Sequence, residues 1–344
     1  MTSSISWDAK LPDKAGFVRA IGRSLGAMLI VAGCAQQPVP VREPAPFESP
    51  PQANLAPRAG QLMEVNGGRL FVDSTGRGDT VILLHEFALD ARMWDAQFLE
   101  LARRYRVVRY DLRGFGRSSA PAEPYSHVED LRRLMTALGI RQAHLVGASM
   151  GGRVAIDFAL AYPSEVQSLV LVDASLGGWE FSKSFSATFS DTAQSARRGD
   201  WSEARRRWLD QPLYASARAQ PDLNGRLKQM IDEYGGAHFI RPDPVVATQS
   251  AARQLARIKA LTLVIVGERD AADFQEIAAK LVREIPSARK VVIPGVGHLA
   301  NMEAPARFNR VVLDFFDRGK PIPIESLTTG ACVDAKTKRP VKCE

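Results

Sequence analysis

Short apolar runs alternate with helix-like ones from Gly60 onward, and this alternation limits the fold more than any other feature. "TVILLHE", "QAHLVGA" and "VQSLVLVDA" are rich in β-branched residues and nearly continuous in apolar character. Strands look like this when both faces of their sheet are covered. "RLFVDS" and "YRVVRYD" read as further strands. Between them, Ala91 to Arg104, "HVEDLRRLMTALGI" and "MGGRVAIDFALAYP" carry apolar residues at helical spacing, the last stopped by Pro163. Strands separated by helices build a mostly parallel, doubly wound α/β sheet.

The alternation lapses between Ser175 and about Ile258, where no strong strand appears. That stretch is rich in Arg, Ala and aromatic residues, from Trp179 to Phe239. It resumes with "ALTLVIVGERD", a helix near Asp273 to Ile285, the strand "RKVVIPGVGH" and a last helix near Glu303 to Phe316. The expected layout is a core of residues 60–175 and 258–318, with a helical cap at 176–257. No internal repeat is visible. With 344 residues, 45% of them hydrophobic, the chain can bury one large core and carry an insertion.

The two ends read differently from the core. Lys10, Lys14, Arg19 and Arg23 precede the apolar segment Leu25 to Ala35, the pattern of a secretory signal over residues 1–33. The apolar run is too short to span a bilayer as a stable helix. Residues 34–59 are dense in proline and read as an extended, semi-rigid tether. The tail, residues 319–344, holds Cys332 and Cys343. Outside the cytoplasm such a close pair is expected to form a disulfide, and no metal-ligand pattern surrounds it. The net charge of +7 comes from basic residues spread along the chain. They form no tract with interleaved aromatics, so nucleic acid is not an expected partner.

The stretch "GASMGG" places Ser149 in a bend between a strand and a helix. A serine hydroxyl is a weak nucleophile until a base stands beside it, and it must project into open space. A tight strand-to-helix turn projects it, provided Gly147 and Gly151 leave room where strand and helix meet. G-x-S-x-G alone arises by chance in roughly one chain in ten of this length. Two further residues strengthen it. His298 lies in "IPGVGHLANMEAP", after a strand, at the sheet edge where such sites assemble. Asp270 ends "LVIVGERD" and can orient the imidazole, with Asp173 in "LVLVDAS" as a rival acid. His127, His144 and His238 have no comparable placement.

These pieces resemble the α/β-hydrolase family. The resemblance rests on "VILLHEF", "DLRGFGRSS", "GASMGG", "LVIVGERD" and "GVGHLANMEAP", and covers about Gly60 to Phe316. It implies Ser149 as nucleophile, His298 as base, Asp270 as its orienter, and the N–H groups of Phe87 and Met150 as an oxyanion hole. His85, Asp111 and Arg113 would support the site, and a pocket would lie between core and cap. One departure stands out: the family usually has His-Gly where this chain has His85-Glu86. Glycine relieves the backbone there, so Glu86 is expected to be strained. Its carboxylate should point outward or hydrogen-bond within the site. Separately, "IVAGC" resembles a bacterial lipobox, which implies lipidation of Cys34 and a membrane anchor on the periplasmic side. An ordinary signal peptide is the alternative.

The expected activity is hydrolysis of carboxylic esters or lactones through an acyl-enzyme, without metal or cofactor, on small apolar or aromatic substrates. Carbon–carbon bond hydrolysis, peptide hydrolysis and cofactor-free perhydrolysis use the same residues and remain open. A non-catalytic binding lipoprotein is a further class, favoured only by Glu86.

Overall fold

A computed structural model describes residues 58–121, 123–240, 245, 250–318, 332–333 and 340–341. Cys34, the signal and tether segments up to residue 57, and the Cys332–Cys343 pairing lie outside what it describes. Among the described residues no helix is long and apolar enough to cross a membrane.

An eight-stranded sheet in the order β1-β2-β4-β3-β5-β6-β7-β8 forms the centre. The strands are β1 (Arg58–Val65), β2 (Gly68–Gly76), β3 (Thr80–Leu84), β4 (Arg106–Tyr110), β5 (Ala143–Ala148), β6 (Val166–Val172), β7 (Leu261–Gly267) and β8 (Ala288–Ile293). From β4 to β8 every neighbouring pair is parallel. β1 and β2 add an antiparallel edge, joined by Asn66-Gly67, both in the left-handed region. Asn-Gly is the residue pair that a two-residue hairpin turn demands. Among the described residues, the tail contributes the short antiparallel pair β9 (Cys332–Val333) and β10 (Pro340–Val341).

Three core helices fill the first crossovers: α1 (Asp95–Ala102), α2 (His127–Ala137) and α3 (Met150–Ala161). Ser126 caps α2 by accepting the Glu129 amide, which offsets one orphan donor of the helix start. All five residues of β3 are buried, as are all six of β5. That burial is why these strands lack alternating polarity.

Between β6 and β7 the chain leaves the sheet as α4 (Lys183–Arg197), α5 (Trp201–Leu209), α6 (Ala215–Arg218), α7 (Pro221–Glu233) and α8 (Ala237–Ile240). The helical insertion expected from the lapse in alternation is therefore present. α9 (Ala272–Glu284), α10 (Ala300–Glu303) and α11 (Pro305–Arg318) complete the fold.

The chain runs from β3 to β4 on one side, then returns past β3 to β5 and continues the other way. Sites in open α/β sheets form at such a reversal, beyond the carboxyl ends of the strands. A buried ion pair braces the β1–β2 edge against the loop after β4. Arg113 donates to both oxygens of Asp130 at 2.7 and 2.8 Å, and to the carbonyls of Val65 and Asn66. Asn66 Nδ2 donates to the same aspartate. Asp130→Ala strands this guanidinium and is expected to cost about 3–5 kcal/mol. A lower urea midpoint with unchanged slope is the reading that checks it.

Candidate active site

Five loops at the carboxyl edge of the sheet bring the site together. They follow β3 (His85 to Ala88), β5 (Ser149), β6 (Asp173), β7 (Asp270) and β8 (His298), strands that are consecutive in the sheet.

Ser149 occupies a left-handed conformation, φ 47° and ψ −112°, directly before α3. A non-glycine residue there is strained, and the surroundings must hold it. Its amide donates to Val172 O at 2.9 Å, and its carbonyl accepts from the amides of Arg153 and Ser175. The flanking glycines explain how close this turn is. A Cβ on Gly147 would lie 2.3 Å from Gly151 O, and one on Gly151 would lie 2.3 Å from Leu84 O. Met150 carries the first amide of α3, a donor with no partner inside its own helix.

Asp270 and His298 meet as the sequence suggested. His298 Nδ1 lies 3.0 Å from each carboxylate oxygen of Asp270. Both side chains are almost fully buried. Asp173 is not an alternative to Asp270 but its neighbour. The ligand atoms of Asp173, Asp270 and His298 all lie within 4.8 Å of one another. Asp173 takes the amides of Gly267 and Ala300. Burial raises both acids, Asp270 to about 8 and Asp173 well above the carboxylate range. The hydrogen bond between them favours a proton on Asp173 and the ionised form of Asp270.

Sequence reasoning missed Glu303. Its carboxylate accepts the amides of Gly297 and Leu299, the residues on either side of His298. It therefore fixes the loop that presents the imidazole. The only signal was an acid five positions beyond the histidine.

Glu86 resolves the departure at the loop after β3. Its carboxylate turns inward: Oε1 accepts the hydroxyl of Tyr214 from the cap, and Oε2 lies 3.8 Å from His298 Nε2. The expected backbone strain does not fall on Glu86. Among the described residues, the non-glycine residues at positive φ are Asn66, Ala88, Ser149 and Asp173. Ala88 takes the strained place two positions on, while the Glu86 amide donates to Met93 Sδ. Ser149 Oγ makes no hydrogen bond to His298 among the described residues in this conformation, while Glu86 Oε2 faces Nε2 at 3.8 Å.

The supports behave as expected. His85 accepts the Leu112 amide at Nε2 and sits 2.7 Å from Glu86 O at Nδ1, so it serves as a neutral spacer between two loops. Burial lowers its pKa, which favours that neutral form. Asp111 accepts the amides of Ala91 and Arg117. The remaining histidines have structural partners: His144 with Ser168, His127 with Tyr125, and His238 stacked on Phe115.

Ser149 lines a small, largely apolar cavity of about 70 Å³. Ser149, Met150, Glu86, Phe87 and Arg153 line its floor side, and cap residues such as Phe181, Phe185 and Trp208 its walls. The cap aromatics divide between two jobs. Some face this cavity, while Tyr234 and Phe239 are buried against Phe87. Phe87 touches six aromatic rings at 5.2 to 5.9 Å between centroids, five of them from the cap.

Residues 79–305 match the family model described as alpha/beta hydrolase fold. The chain is 30% identical over 268 residues to a 2-hydroxy-6-oxo-6-phenylhexa-2,4-dienoate hydrolase of Burkholderia cepacia, covering 73% of this chain and 92% of that one. Among solved structures, a thermophilic esterase from Thermogutta terrifontis is similar with a TM-score of 0.64 at 29% identity, covering 76% of this chain and 99% of that one. Est816, an N-acyl homoserine lactone degrading enzyme, gives 0.62 at 26% identity, covering 74% and 100%.

Burial raises the Glu86 carboxyl from the ordinary 4.5 to about 7, opposed by His298 and the Tyr214 hydroxyl. Between those two values the folded chain holds a proton that the unfolded chain has released, so stability falls as pH rises through that window. Above pH 7 the cost is about 3 kcal/mol. Glu86→Gln should therefore melt higher than wild type at pH 8 and lose the advantage towards pH 5. Asp173 and Asp270 are shifted in both proteins, so the difference between their melting curves is the quantity to read.

Proposed function

The chain belongs to the α/β-hydrolase family, and from that premise we propose that it is a serine hydrolase of carboxylic esters or lactones. One set of observations carries this reading: the buried Asp270–His298 pair stands at the same sheet edge as a strained serine that starts a helix and lines an apolar cavity. Ser149 attacks the carbonyl and passes its proton to His298 Nε2. Asp270 holds Nδ1–H and stabilises the imidazolium. The amides of Met150 and Phe87 receive the oxyanion, each worth about 10²–10³ in rate. His298 protonates the leaving oxygen, then activates the water that frees the acid. Forming the Ser149–His298 hydrogen bond needs the hydroxyl to turn toward Nε2 as substrate enters. Such bonds are often loose before substrate binds.

The likeness to an esterase and to a lactone-degrading enzyme supports the ester or lactone class. The likeness to dienoate hydrolases favours a second reading, carbon–carbon cleavage of a diketone-like substrate by the same residues. For the N-terminus, the proposal is lipidation at Cys34 and a tethered, membrane-anchored domain.

p-Nitrophenyl butyrate turnover tests the main reading. Ser149→Ala should abolish it and remove labelling by a fluorophosphonate; a variant that keeps both would sink the assignment. Asp270→Asn is expected to lower kcat on the order of 10³–10⁴-fold, and Asp173→Asn far less. Turnover of a dienoate diketone with none of the ester would select the second reading. For the anchor, Cys34→Ser should release the protein from the membrane fraction, and unchanged fractionation would exclude lipidation there.

A further inference from the structure

Glu86 places a carboxylate where the reaction's leaving group must pass. His298 Nε2 is the atom that hands a proton to the leaving oxygen, at about 2.8–3.0 Å. Glu86 Oε2 stands 3.8 Å from that same nitrogen. Oε1 is tied to the Tyr214 hydroxyl, so the carboxylate cannot easily turn away. Oε2 itself is buried and has no hydrogen-bond partner among the described residues. Glu86 lines a cavity walled mainly by Phe181, Phe185, Phe189, Trp208, Leu213 and Phe274. A buried acceptor left open at a reacting centre is a standing cost, and a bound donor removes it.

Resting on the ester-hydrolase reading above, we propose that Glu86 Oε2 is a specificity-determining acceptor for a donor carried by the leaving group. The preferred substrates are then esters of alcohols that bear an O–H or N–H on the carbon next to the ester-bearing one. The acyl part is apolar, in keeping with the aromatic wall. When the leaving oxygen takes its proton from Nε2, a donor on the neighbouring carbon can reach Oε2 beside it, since Nε2 and Oε2 stand 3.8 Å apart. An analogue without the donor leaves the carboxylate unpaired against its own substituent. Sites built to accept a substrate's hydrogen bond reject such analogues more strongly than apolar pockets reject a change of size. The same geometry accounts for the glycine being replaced here: glycine would leave only the backbone at this point.

The test compares 2-hydroxyethyl and 2-methoxyethyl 4-phenylbutanoate, whose leaving groups are of matched basicity. The full chain in detergent is assayed at pH 8, above the value of about 7 to which burial brings Glu86. Wild type should favour the hydroxyethyl ester in kcat/KM by about tenfold or more. Glu86→Gly should bring the ratio to within about twofold of unity, whatever happens to the rate common to both esters. Tyr214→Phe, which only frees the carboxylate to turn, should lower the ratio part of the way. Equal turnover of both esters by wild type, or a preference that survives Glu86→Gly, overturns the inference while leaving the hydrolase reading intact. Turnover of neither ester counts against the hydrolase reading and removes this inference with it.

Discussion

The contact between the start of α3 and the end of β5 sets the rest of the site. Gly147 and Gly151 approach until no side-chain carbon fits between them, and Gly151 also lies against the end of β3. The helix can then begin at once after the strand. Ser149 is the residue caught in between, at a positive φ that its own side chain disfavours. Its conformation is held by a ladder bond to Val172 and by amides that close on its carbonyl. The end of β3 and the residues just after β6 lie directly against this contact, Leu84 O at Gly151 and Ala174 at Gly152.

Around the imidazole the protein gathers acid groups rather than opposite charges. Asp270, Asp173 and Glu86 are all buried near His298. Three ionised carboxylates in so little space would repel one another with almost no water to screen them. Protons relieve this, and all three groups are shifted upward by burial. Burial thus favours protons on these carboxyls, Asp173 most of all. His298 sits among them, bonded to one acid and facing another.

Much of this was legible in the sequence for a physical reason. The strands after Thr80 are buried on both faces, so their composition announces them, and the serine bend needs glycines at fixed offsets. The lapse in alternation marked the helical insertion because helices at Lys183–Arg197 and Trp201–Leu209 carry no strand-like run. Asp270 and Asp173 could not be ranked from sequence, since both end strands; only the side-chain geometry shows one on the imidazole and the other behind it. The direction of Glu86 was also hidden. It depends on Tyr214, a cap residue 128 positions away, and no local pattern encodes that partner. The strain expected at Glu86 sits instead at Ala88, because the loop bends after the phenylalanine rather than before it.

Phe87 links two parts of the molecule that the chemistry would otherwise keep apart. It lines the same cavity as Ser149, while its ring is lodged among Phe189, Trp208, Tyr234, His238 and Phe239. The insertion is thus more than a roof over the substrate. It works as a mould against which the loop after β3 is cast, so exchanging the insertion for another would reshape that loop as well as the roof.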